Sequence, residues 1–161
     1  MQQWIYSASS DPCSVHLKER GETIAFARAF AAHMKPGDVL ALEGPLGSGK
    51  TTFVKGVAMG LGLENSDEVK SPTFVLMHIY PTLPPLYHFD LYRIEKAEEL
   101  EDIGFHDFVS DGRAVSCVEW AEKANGSLPK SLYRIRFEIT GSETRKLILN
   151  KSPDAKRPRH D

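Results

Sequence analysis

Gly44-Pro45-Leu46-Gly47-Ser48-Gly49-Lys50-Thr51 places three glycines, a lysine and a hydroxyl residue within eight positions, in the order G-x-x-x-x-G-K-[ST]. The chemistry open to such a string is phosphate binding. Glycines let the backbone wrap closely around an anion with its N–H groups turned inward, and the lysine reaches the β- and γ-phosphates of a nucleotide. The hydroxyl of Thr51 is then placed to meet Mg²⁺, with Thr52 next to it in the same turn. This works only where the loop leaves a buried strand and opens a helix, so that the positive end of the helix also faces the phosphates. The flanking residues meet that requirement: Val39 to Leu42 is a short apolar run, and a helix is expected from Lys50 to Gly60 or Gly62. No N-K-x-D guanine-reading string is present, so ATP is preferred over GTP.

A phosphate loop needs an acidic group near the metal, usually where a neighbouring apolar strand leaves the core. Two segments end that way. Ala114-Val115-Ser116-Cys117-Val118-Glu119 suits a strand buried on both faces, which makes Glu119 the preferred magnesium carboxylate. In Leu86-Tyr87-His88-Phe89-Asp90 the alternation puts His88 and Asp90 on one face. Asp90 is read as orienting the attacking water or a second metal-bound water, or alternatively as capping a turn or pairing with Arg93. A histidine inside a strand is more often a hydrogen-bonded structural residue than a catalyst, which keeps His88 secondary.

The elements that hold these groups are read as follows. A short strand is expected over residues 3 to 7, then a helix from Glu22 to Met34 that Pro36 and Gly37 end. Phe74 to Tyr80 and Leu86 to Tyr92, separated by prolines, form an antiparallel pair. Glu95 to Leu100 is a short acidic helix, and Tyr133 to Ile139 with Arg145 to Leu149 is a closing hairpin about Gly141. The fold class is α/β, a single domain over residues 1–150 with a mixed β-sheet flanked by helices, followed by a disordered polar tail over residues 151–161.

Composition is consistent with one soluble domain: 161 residues, 41% hydrophobic and 26% charged. Twenty Lys+Arg against 22 Asp+Glu give a formal charge of −2, so no global charge draws the chain to RNA or to an anionic membrane. Cys13 and Cys117 match no metal or redox spacing. No stretch approaches the roughly 18 apolar residues of a span, and the first residues lack a basic region followed by an apolar one. A reduced, cytoplasmic chain without signal peptide or anchor is expected.

Four elements in order, the loop GPLGSGKTT, Ser71-Pro72-Thr73-Phe74, His88-Phe89-Asp90-Leu91-Tyr92-Arg93 and Glu119-Trp120, resemble the TsaE (YjeE) family from about Glu22 to Leu149. The resemblance implies a small P-loop ATPase that works with TsaD and TsaB to make threonylcarbamoyladenosine at position 37 of tRNA, without transferring the group itself and meeting tRNA only through the complex. It implies that Lys50 and Thr51 serve phosphate and magnesium, that Asp90 and Glu119 are the two acidic residues, and that Trp120 is a contact or reporter. The resemblance also implies that Ser71 and Thr73 fall in a switch segment that senses the γ-phosphate and magnesium, with a proline-bounded turn before a strand as the plain alternative. Thr23 and Arg145 match positions beside the base or ribose, with a helix cap and a surface charge as their plain alternatives. Pro45 stands where the family often has Asp, and Ala121 where Pro often follows the Glu-Trp pair. A small-molecule kinase and a nucleotide sensor that does not hydrolyse are the rival functions; no arginine-rich lid supports the first.

Overall fold

The computed structural model describes residues 12–124 and 126–152. The strand expected over residues 3 to 7 lies outside them, as does the tail from residue 153 onward. Seven strands form one sheet: β1 (Cys13–Leu17), β2 (Val39–Glu43), β3 (Met77–Tyr80), β4 (Leu86–Asp90), β5 (Val115–Glu119), β6 (Tyr133–Ile139) and β7 (Arg145–Lys151). Their order is β1-β7-β6-β2-β5-β4-β3. The inner pairs β6–β2, β2–β5 and β5–β4 are parallel, whereas β1–β7, β6–β7 and β3–β4 are antiparallel. The sheet is mixed, as the sequence pattern predicts.

Helices α1 (Arg20–Ala31) and α2 (Lys50–Gly60) cover one face, and the short α3 (Ala97–Asp102) and α4 (Phe105–Val109) serve the other. The period of two in β2 serves both layers. Leu40 and Leu42 join Phe26, Phe30, Phe53 and Val57 on the first face, while Val39 and Ala41 join Phe89, Phe105 and Leu100 on the second. β2, β4 and β5 are therefore almost continuously buried, as strands covered on both sides are. In β6 the buried residues Ile135 and Phe137 alternate with less buried ones, because only the first face of that strand is covered.

α1 and α2 touch closely through glycine. A Cβ added at Gly56 would lie 2.4 Å from the Ile24 carbonyl oxygen and 2.6 Å from Ala27 Cβ. One added at Gly60 would lie 2.6 Å from both Ala31 Cβ and the Arg28 carbonyl oxygen. Only two bare Cα atoms, one turn apart, allow this approach.

Several expected boundaries move for local reasons. The segment from Phe74 to Leu76 is a turn, not the start of a strand: the Pro72 carbonyl accepts from the N–H groups of Val75 and Leu76, and Leu76 has φ +67°. The next strand stops at Asp90 because its Oδ1 accepts from the Tyr92 N–H at 2.9 Å, closing a turn. The acidic helix lies at Ala97–Asp102, where Glu99 Oε2 reaches back to the N–H groups of Glu95 and Lys96. α1 starts at Arg20 after an N-cap at Glu19, so Thr23 is not the cap; it is buried in the first turn. Cys13 and Cys117 form no disulfide, and Cys117 is fully buried.

Candidate nucleotide-binding site

β2 delivers the loop from Gly44 to Gly49 at its carboxyl end, and α2 begins at Lys50 with Gly49 as a left-handed N-cap at φ +103°. Gly44 has φ +154°, and a Cβ there would meet both the Phe137 carbonyl and Ser48 Oγ at 2.8 Å. Any side chain at that position would push the loop off β6. Pro45 and Leu46 form the outer bend, with Leu46 74% exposed.

Lys50 is buried against this loop. Its ammonium donates to the carbonyls of Gly44 (2.6 Å) and Pro45 (2.9 Å) and lies 4.2 Å from the centroid of the Trp120 ring. Burial pulls the Lys50 pKa below the ordinary lysine value, and the carboxylates of Glu119, Glu122 and Asp90 counteract that pull in part. The neighbouring Thr51 Oγ1 donates to Glu119 Oε1 at 2.8 Å and is 3.0 Å from Oε2.

The two carboxylates sit side by side. Asp90 and Glu119 are register partners on the parallel pair β4–β5, both only 3% exposed, and both point to the α1–α2 face. Two buried like charges on adjacent strands require separate sets of donors. Glu119 has Thr51 and the His88 ring, whose Nε2 is 2.6 Å from Oε2. Asp90 Oδ2 accepts from Thr73 Oγ1 at 3.0 Å and from Ser71 Oγ, while Oδ1 holds the Tyr92 N–H. Asp90 is thus a turn cap and also the tether of the segment from Ser71 to Thr73. It does not pair with Arg93, whose guanidinium lies 4.0 Å over the exposed ring of Phe74.

Two hollows flank the loop. A cleft of about 420 Å³ runs from Leu46 past Lys50, Thr51, Asp90 and Glu119 to Ser71, Thr73, Phe74 and Trp120. A second, of about 390 Å³, is lined by Thr23, Gly47, Gly49, Thr52 and Arg145 together with Glu19 and Glu143. Gly47, Gly49 and Thr52 belong to both, so the loop forms the shared wall. Arg145 is more than a surface charge: it donates to the Gly47 carbonyl at 3.1 Å and to carbonyls of its own hairpin. Trp120 holds φ +57°, packs 5.0 Å from Tyr92 and closes the far side of the cleft.

The donor set fits a nucleotide with Mg²⁺. A hydroxyl and a carboxylate are hard oxygen ligands, and no cluster of three or more His, Cys, Asp or Glu able to hold a metal occurs among the described residues. Such a pair suits an ion that completes its shell with phosphate oxygens and water, as Mg²⁺ does.

The family model described as threonylcarbamoyl adenosine biosynthesis protein TsaE matches residues 17–147. The chain belongs to the TsaE family. It is 45% identical over 129 residues to the tRNA threonylcarbamoyladenosine biosynthesis protein TsaE of Bacillus subtilis, covering 80% of this chain and 78% of that one. It is 38% identical to TsaE of Treponema pallidum over 72% of this chain and 84% of the relative. Among solved structures it is similar to Bacillus subtilis YdiB, with a TM-score of 0.69, 34% identity and coverage of 91% and 90% of the two chains. The fold is that of a P-loop NTPase, and the family serves threonylcarbamoyladenosine biosynthesis. No helix among the described residues is long and apolar enough to cross a membrane.

The TsaE site brings together Lys50, Thr51, Asp90, Glu119, Ser71, Thr73 and Trp120 in one cleft, and Thr23 and Arg145 in the other hollow. Sequence reasoning missed the contact between His88 and Glu119, although the alternation that put His88 on the face of Asp90 pointed to it. It also missed Tyr92 against Trp120 and the acidic rim of Glu19 and Glu143, for which the spacing carried no sign.

Proposed function

We propose that this chain is an Mg²⁺-dependent ATPase of the tRNA threonylcarbamoyladenosine machinery, cytoplasmic, slow alone and driven by docking on TsaB–TsaD. The observation that carries the proposal is the hydrogen bond between the half-buried Thr51 and the buried Glu119, beside Lys50 at the mouth of the phosphate loop. In this reading the loop N–H groups from Gly44 to Thr51 and the Lys50 ammonium bind the β- and γ-phosphates, and Thr51 and Glu119 hold the magnesium. The metal, when bound, neutralises charge that develops on the phosphates. Thr23, Thr52 and Arg145 line the hollow for the base and ribose.

Asp90 orients the attacking water. A carboxylate has about four acceptor positions, and three of them are taken by Ser71, Thr73 and the Tyr92 N–H. The position left over accepts from water, and a shift of Ser71 or Thr73 toward the γ-phosphate releases another. ATP binding and the order of the segment from Ser71 to Phe74 are coupled through this one side chain.

Among the described residues that line the cleft, Lys50 supplies the positive charge. Phosphoryl transfer without a second cation near the γ-phosphate is slow, and a partner that contributes one accelerates it. Leu46 and Phe74, 74% and 80% exposed, flank the mouth with Trp120 behind them and form the surface assigned to TsaD. Transfer RNA is met through that complex only.

The test is ATP hydrolysis by the purified chain, with and without TsaB–TsaD from the same source, next to Glu119→Ala. Stimulation by the partners that Glu119→Ala abolishes is the expected result. Hydrolysis indifferent to the partners, with a phosphorylated metabolite as product, would replace this reading with a kinase. ATP binding with no hydrolysis under any condition would replace it with a sensor.

A further inference from the structure

His88 is fully buried in the middle of β4, between the apolar Leu86 and the carboxylate of Asp90 on the same face. An aliphatic residue there would extend the core of that face at no desolvation cost, so an imidazole has to be repaid by a hydrogen bond. The bond it makes is to Glu119 Oε2 at 2.6 Å. A carboxylate can only accept, which assigns the ring proton to Nε2. Nδ1 has no hydrogen-bond partner among the described residues. An unprotonated nitrogen left alone in the core is tolerable, whereas an N–H there would be an orphaned donor. The ring therefore has one polar task, and it is directed at Glu119.

Glu119 needs such a partner. It ends β5 just before Trp120, where the backbone enters the left-handed region, so the strand that fixes its Cα stops there. Thr51 reaches both oxygens and does not choose between them, at 2.8 and 3.0 Å. His88 touches Oε2 alone. Thr51 is shared by the two oxygens and His88 is added at Oε2, so Oε1, which has Thr51 alone, is the less occupied oxygen.

We propose that His88 is a positioning residue for the magnesium carboxylate: by holding Oε2 it commits Oε1 of Glu119 to the metal. The proposal rests on the reading of Glu119 as a magnesium residue, and the same buried ring has no role in the phosphate loop or the switch segment. Partners of this kind, which orient a ligand without touching the metal, typically change metal affinity by about 10- to 100-fold when removed.

The experiment measures the affinity of a non-hydrolysable ATP analogue in excess Mg²⁺ and in chelator for the full chain, His88→Leu, His88→Gln and Glu119→Gln. Gln can place its amide N–H near the position of Nε2; Leu fills the space without a donor. Glu119→Gln is expected to remove the gain that Mg²⁺ gives. His88→Leu is expected to reduce that gain about 10-fold with the affinity in chelator unchanged, and His88→Gln to retain most of it. His88→Asn, too short to reach Glu119, takes the place of Leu if that variant does not fold. Equal gains in wild type and His88→Leu, or equal losses in the Leu and Gln variants, would overturn the positioning role while leaving the magnesium site intact. A full Mg²⁺ gain in Glu119→Gln would instead overturn the site reading and this proposal with it.

Discussion

Gly56→Ala tests the closeness of α1 and α2 with a single methyl group. Two opposing effects can be set against each other. Alanine in a helix interior is favoured over glycine by about 0.8–1.0 kcal/mol. The added carbon, however, would sit 2.4 Å from the Ile24 carbonyl oxygen, 2.6 Å from Ala27 Cβ and 3.1 Å from the Arg28 nitrogen. Non-bonded carbons rest at about 3.5–4.0 Å, so the helices must part by about 1 Å. Two of the three obstacles are backbone atoms of α1, which no rotamer change relieves, and overpacking of a filled core costs typically about 1–3 kcal/mol. With a backbone oxygen at 2.4 Å the cost falls in the upper part of that range, about 2–3 kcal/mol, so the clash outweighs the propensity and leaves a net loss of about 1–2 kcal/mol. For a chain of this size that lowers the melting temperature by about 2–8 °C. Gly21→Ala is the internal control. It lies in the first turn of α1 with nothing nearer to the added Cβ than Glu19 Oε1 at 3.7 Å, so the change should stabilise by about 0.4–1 kcal/mol. Thermal unfolding of the three proteins reads both signs. A Gly56→Ala variant that melts at or above the wild type would refute the helix contact. Because α2 starts with Lys50 and Thr51, the same variant is also expected to bind ATP less tightly.

Two further expectations follow from the site and its surroundings. Replacing both Ser71 and Thr73 by Ala removes two hydroxyl bonds to Asp90, and hydrogen exchange in residues 71–76 should quicken by about 10-fold while β4 keeps its protection; unchanged exchange would mean that Asp90 does not hold the segment. On the opposite face, Asp111 accepts from the Arg113 side chain, the Arg113 N–H and the Tyr87 hydroxyl, and these bonds hold its carboxyl well below the usual carboxylate range. A depressed folded pKa gives stability that is present above the unfolded value of 3.8 and is lost as pH falls through the folded one. The deficit of Asp111→Asn in urea midpoint should therefore be full at pH 7 and shrink as pH drops below 3.8; a deficit of equal size throughout would contradict it.

The centre of the molecule was legible because its chemistry is local. Gly44 to Thr51 follow a buried run and open a helix, and eight consecutive residues carry the whole argument. Glu119 was legible for the same reason, as the first charge after an apolar strand. The hairpin β6–β7 and the pair β3–β4 were legible from alternation and turn residues. What failed was non-local or compensated. β1, with its exposed Ser14 and His16, has too few apolar positions to stand out, and only pairing with β7 makes it a strand. Phe74 and Val75 have strand-forming side chains, yet hydrogen bonds to the Pro72 carbonyl turn the chain there. Arg145 reaches the Gly47 carbonyl across 98 positions, and His88 reaches Glu119 across 31. Neither contact has a local pattern, because each is set by the order of the strands in the sheet.

The strand order also fixes a sequence of events during synthesis. β2, which carries the phosphate loop, takes β5 on one side and β6 on the other, and β1 joins the sheet only through β7. The Arg145 bond that secures the loop from outside belongs to that last strand as well. A nascent chain that has made α2 already possesses the whole glycine-rich loop, yet β2 still has an open flank and β1 has no place to dock. Such non-local closure is slow relative to local folding, and it leaves strand edges exposed in the interval. The frame around the phosphate loop is therefore completed late, when the hairpin of β6 and β7 is made and β1 can pair with β7.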